Sequence, residues 1–138
     1  MQMAEHDALK KERTDQLAEA LVARLEQAWS RDTSSDPKHW SASNPAWGQC
    51  AVTSLIVQDL LGGQLLRSTV GTISHYWNKL PSGDELDLTR QQFGDQTEMG
   101  PVELRTRKYV LSFPETVRRY DALKRRVAGI QELVAKSR

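Results

Sequence analysis

An α+β fold follows from three features of this 138-residue chain: a helix-periodic segment at each end, an apolar run that begins at its one cysteine, and a series of short alternating segments between them. The expected architecture is a buried central helix bearing Cys50, packed on a small antiparallel sheet and flanked by N- and C-terminal helices. One domain over residues 1–138 is expected at this length, with an N-terminal helix over about 4–30, a core over about 40–112 and a C-terminal helix over about 114–136.

In residues 4–29, Leu17, Leu21, Leu25, Ala28 and Trp29 recur at helical steps and mark one apolar face, while the first turns are mostly charged. Residues 31–49 are rich in Ser, Asp, Asn and Pro and predict a loop in which Trp40 and Trp47 are set. Residues 50–61, CAVTSLIVQDLL, are apolar on more than one face, and Gly62 and Gly63 supply the stop. Residues 64–70 and 73–80 are strand candidates, and residues 85–89 alternate acid and leucine before a β-branched residue. Residues 90–108 carry neither period and contain two glycines and a proline, which predicts a long irregular connection. Residues 109–112 predict a short strand, after which Pro114 opens a last helix with Val117, Tyr120, Val127, Ile130 and Val134 on one stripe.

Lys and Arg total 19 against 18 Asp and Glu, a net charge of +1, so the overall balance points to neither a nucleic-acid nor an acidic-membrane partner. The basic pairs and triplets at Arg118-Arg119 and Lys124-Arg125-Arg126 lack a partner motif and read as a solvated helix face. A lone cysteine cannot form an internal disulfide, and it leaves a zinc site without its usual sulfur set; no metal or cofactor is expected. No apolar run approaches the roughly 20 residues of a membrane span, and the charged N-terminus lacks a signal core, so a cytoplasmic protein is expected. The long terminal helices are also candidate surfaces for a homodimer.

Cys50 stands at a predicted helix start, where free N–H groups favour a thiolate and can stabilise an oxyanion. A hairpin follows, with His75 on its first strand and Asp87 on its second. In the turn, Pro81 suits the second position of a type I turn and Gly83 the left-handed residue after it, which predicts a three-residue loop with Leu80 paired to Asp84. Trp77 then lies opposite Asp87 and His75 opposite Thr89, so His75 and Asp87 are diagonal neighbours on one face. Tyr76, Leu80, Leu86 and Leu88 occupy the other. A two-residue turn would move Asp87 across beside Asn78.

In this constellation Cys50 attacks, His75 moves the proton and Asp87 fixes the imidazole, with Asn78 the rival orienting group. Gln49, with the Cys50 backbone N–H, is a candidate oxyanion donor, and Trp47, Trp77 and Asn78 are candidate substrate contacts. The expected substrate is a peptide or another amide. Each residue also has an ordinary reading: a lone cysteine before Ala-Val is commonly core, and Asp between leucines is commonly the outward residue of a strand. A non-catalytic binding module that uses the Trp40/Trp47 loop and residues 90–108 is the competing function, and redox sensing by the lone thiol is a third. No phosphate-binding glycine loop, HExxH pair or carboxylate pair of defined spacing is present.

The stretches GQCAVTSLIVQDLLGG, SHYWNKLPSGDELDLTRQQF and YVLSFPETVRRYDALKRRV resemble the YunG-like family of small bacterial proteins, over about residues 40–128. More distantly, the Cys, His and Asp positions look like a reduced papain-like or NlpC-type cysteine hydrolase. That likeness implies a papain-like fold, with Cys50, His75 and Asp87 at the places of the triad. It departs from the papain pattern at Gln49, which is adjacent to the cysteine rather than several residues before it.

Overall fold

A computed structural model describes residues 2–95 and 98–136. Helix α1 (Gln2–Ala28) is exposed along its first turns and buries Leu21 and Leu25 completely. Helix α2 (Cys50–Leu61) has seven buried residues, as its many-sided apolar run predicts. It stops at Gly62, whose φ is +77° and whose N–H donates to the Gln58 carbonyl at 2.9 Å.

Four strands follow: β1 (Gln64–Val70), β2 (Ile73–Lys79), β3 (Glu85–Leu86) and β4 (Glu103–Arg105). They form an antiparallel sheet in the order β3-β2-β1-β4. Tyr76, Leu80, Leu86, Leu88 and Leu65 join one hydrophobic cluster with Leu21, Leu25, Val52, Leu55, Ile56 and Leu123, so this face of the sheet packs on the helices as expected. Burial of these side chains is the main driving force for docking helix on sheet.

The hairpin has the predicted register. The Leu80 N–H donates to the Asp84 carbonyl and the Gly83 N–H to Leu80, both at 2.8 Å, with Gly83 at φ +95°. Asn78 then pairs with Leu86 and Lys79 with Glu85. The second strand is shorter than the predicted 85–89, because the Asp87 carboxylate accepts from the Thr89 N–H at 3.3 Å and turns the chain out of the ladder.

Residues 90–108 are not one irregular connection. They hold a 3₁₀ turn (Arg90–Phe93), the strand β4 paired with residues 65–67, and the start of helix α3 (Arg107–Val110). Two members of that stretch, Gln96 and Thr97, lie outside the described residues. The strand expected at 109–112 is replaced by α3 and the turn after it, because Thr106 caps the helix by accepting from the Tyr109 N–H at 3.1 Å. The last helix is divided into α4 (Pro114–Arg126) and α5 (Ile130–Lys136), with Gly129 at φ +86° between them.

Arg107 ties these pieces together. It reaches Asp59 at 2.7 Å, Gln58 at 3.0 Å and the Tyr120 hydroxyl at 2.7 Å, joining α2, α3 and α4. At the other end of the bundle Arg126 donates to the Ala28 carbonyl at 3.1 Å and meets Asp32 at 2.6 Å, closing α4 onto the end of α1. Among the described residues no helix is long and apolar enough to cross a membrane.

Candidate functional site

Cys50 is the first residue of α2 and is 7% exposed. The first helical bond runs from Thr53 N–H to the Gln49 carbonyl at 3.0 Å, so the N–H groups of Cys50, Ala51 and Val52 precede the intrahelical ladder. The loop before it is drawn tight at Gly48, where φ is +74° and the Ser35 N–H donates to the Gly48 carbonyl at 2.9 Å. A Cβ at Gly48 would overlap Ser34 Oγ and stand 2.9 Å from the Ser35 nitrogen, which explains glycine two residues before the cysteine.

His75 is fully buried, with Nε2 2.6 Å from Asp87 Oδ2. The predicted register therefore brings this pair together. The other ring nitrogen, Nδ1, is buried without a hydrogen-bond partner among the described residues. The Cys50 thiol makes a long contact of 3.8 Å with the Ser74 carbonyl and is also near enough to His75 to act on the imidazole. Burial alone would lower the His75 pKa, but the Asp87 hydrogen bond, the neighbouring Cys50 and the charges of both raise it to about 9.

An aromatic file surrounds the imidazole. Trp77 stacks on His75 at 5.5 Å, Phe93 meets it edge-on at 4.9 Å, and Trp47 meets Phe93 at 6.4 Å. Trp47 and Phe93 are half-buried, whereas Trp77 is only 5% exposed and donates to Glu85 at 2.7 Å. Trp47 is held by its own N–H bond to Asp36 at 3.1 Å; His39, and then Trp47, keep the Asp36 carboxyl below its usual range. A shallow cleft of about 340 Å³ is lined by Trp77, Glu85, Asp87, Arg90 and Met99.

Two candidates are placed differently from the sequence reading. Gln49 is fully buried, and its amide donates to the Ser30 carbonyl at 3.0 Å; it is committed to the end of α1 rather than presented as an oxyanion donor. Asn78 alternates onto the face opposite His75, where it is buried and donates to the Ser54 carbonyl at 2.9 Å. It anchors β2 to α2, and Asp87 rather than Asn78 orients His75.

Gln92 and Phe93 are not among the residues the sequence singles out. Gln92 is 4% exposed and bonds to the loop before Cys50, and Phe93 is the ring between His75 and Trp47. A Gln next to an aromatic residue just after the second strand of the hairpin was the available cue. Among the described residues no cluster of three His, Cys, Asp or Glu side chains is arranged to hold a metal ion.

A family model described as YunG protein matches residues 17–132, from the middle of α1 into α5. The Bacillus subtilis (strain 168) protein named "Uncharacterized protein YunG" is 39% identical over 69 residues, a stretch covering 50% of this chain and 56% of that relative. The chain thus spans little more than half the length of the curated relative it matches. No solved structure matches it. The family match extends beyond the cysteine, histidine and aspartate to both flanking helices, and on its strength the chain belongs to the YunG family.

Proposed function

We propose that the protein is a cysteine-dependent acyl-transfer enzyme acting on a peptide or other amide bond. The observation that carries this reading is the division of labour on His75: Asp87 occupies Nε2 at 2.6 Å, and the buried Nδ1, with no other partner among the described residues, is left for Cys50. The order of groups is that of papain-like and NlpC-type hydrolases, and the papain-like reading of the fold rests on that order together with a cysteine at the head of a helix packed on an antiparallel sheet.

In this mechanism the Cys50 thiolate attacks the acyl carbon and the carbonyl oxygen becomes an oxyanion beside the free N–H groups of the first turn of α2. As the C–N bond breaks, the proton held on His75 passes to the departing amine, leaving a thioester on Cys50. Water or a second amine then attacks the thioester, His75 takes its proton, and the C–S bond breaks to restore Cys50. Asp87 holds the imidazole in position throughout.

The test is the iodoacetamide alkylation rate of the one cysteine, in the wild type and in the His75→Ala and Asp87→Asn variants, each checked for folding by circular dichroism. A pair that acts as a unit loses roughly tenfold or more in rate near neutral pH when His75 is removed, and part of that in Asp87→Asn. Rates equal in folded variants and wild type would overturn the reading. For a substrate found by screening amides, Cys50→Ala must abolish turnover.

A second reading, a binding module, is favoured by the enclosure of the pair, with Cys50 7% exposed and His75 fully buried, while Trp47 and Phe93 stand half-open beside them. It requires that Trp47→Ala release a partner that Cys50→Ala retains.

A further inference from the structure

We infer that Gln92 is a positioning residue that joins the two halves of the Cys50–His75 pair. This rests on the reading of those two residues as a catalytic pair. Cys50 and His75 come from separate parts of the chain: the cysteine follows the 44–49 loop, and the histidine is oriented by Asp87 at the end of the hairpin. Gln92 bonds to both parts. Its Oε1 accepts from the Gly48 N–H at 3.1 Å, and its Nε2 donates to the Thr89 carbonyl at 3.1 Å. Its backbone carbonyl accepts from Asn44 Nδ2 at 3.0 Å.

The partners also specify the residue type. The Gly48 N–H requires an acceptor, and the Thr89 carbonyl, which also accepts from the Gln92 backbone N–H at 3.1 Å, takes the side chain as a second donor; a primary amide supplies both groups at one position. Gln92 is buried, so an apolar replacement would leave the Gly48 N–H without this acceptor, while the Thr89 carbonyl would keep only the backbone N–H of residue 92. One residue separates Gly48 from Cys50 and one separates Thr89 from Asp87, so a shift at this amide reaches both the cysteine and the carboxylate that orients His75. Phe93, the next residue, then carries the clamp onto the imidazole at 4.9 Å.

The experiment is a double-mutant cycle read by the alkylation rate of Cys50 at pH 7 and by its pH profile, with Gln92→Met, His75→Ala and the pair. If the inference holds, Gln92→Met stays folded, loses about tenfold in rate, and the double variant loses little beyond His75→Ala, as expected for residues in one network. Asn44→Ala, which removes only the outer bond, shifts the rate the same way by a smaller factor, and it alone decides the matter if Gln92→Met does not fold. A merely structural Gln92 would lower the melting temperature and leave the His75-dependent rate and profile unchanged. That outcome, with His75→Ala still slowing the wild type, overturns the role of Gln92 alone. A wild-type rate indifferent to His75 overturns the catalytic pair and this inference with it.

Discussion

The Leu80 N–H meets the Asp84 carbonyl at 2.8 Å, and this pairing decides that Asp87 reaches His75. Strand side chains alternate, so a register one residue different would carry Asp87 to the face of Asn78. Deleting Glu85 keeps the Pro81-Ser82-Gly83 loop but moves Asp87 one position along its strand, and should therefore break the Asp87–His75 bond while the hairpin still closes. Proton NMR of the His75 ring would show its titration moving to lower pH than in the wild type; an unmoved titration would mean that the turn does not set the register. Gly83→Ala keeps the loop length and should cost only about 1 kcal/mol for a side chain at φ +95°.

Asp87→Asn should lower the His75 pKa from its raised value of about 9, because the hydrogen bond and the charge that offset burial are weakened together. An NMR titration of the same ring checks this directly.

The raised His75 pKa also predicts a pH dependence of stability. A group whose pKa is higher in the folded than in the unfolded chain stabilises fully below its unfolded value, and loses that contribution as pH rises through the folded one. Urea unfolding of the wild type should weaken between pH 6.5 and about 9, by at most about 3 kcal/mol, and His75→Gln should flatten this slope.

Asp32 behaves with the opposite sign. Its carboxyl is held down to about 2, first by the Arg126 hydrogen bond and then by Ser30. The contribution is present above pH 3.8 and fades as pH falls through about 2. Both partners are well exposed, so Asp32→Asn should cost under about 1 kcal/mol in neutral urea melts. Arg126→Ala should cost more, because it also uncaps the Ala28 carbonyl at the end of α1.

Gly48→Ala should be among the most damaging surface-loop changes, at roughly 2 kcal/mol or more, since it combines a left-handed φ with overlap of Ser34. A thermal melt within a degree of the wild type would refute the packing described for the 34–36 segment.

The parts of the fold that could be read in advance were those with a strong local signal. The unbroken apolar run at 50–61, the glycines that end it, and the Pro81–Gly83 turn each carry their own conformational preference. Strand β4 does not: Glu103, Leu104 and Arg105 show no apolar alternation to speak of, and they are a strand because β1 offers them an edge. Tyr109 and Val110 favour strand locally, and the Thr106 cap outweighs them. At the site, register arithmetic found His75 and Asp87. It could not find Gln92, whose burial depends on a contact with Gly48 across 44 positions of sequence.

Strand β4 forms one border of the sheet, and an open border is a template on which another chain can extend the ladder. Here the border is three residues long, preceded two positions earlier by Pro101, which has no N–H to donate. Its exposed Leu104 is bracketed by Glu103 and Arg105, which pair with each other at 2.7 Å, and Glu103 also faces Arg67 at 3.6 Å. A strand arriving from another molecule would find few free backbone groups and would have to desolvate charges to reach them. The border is thereby protected against edge-to-edge aggregation.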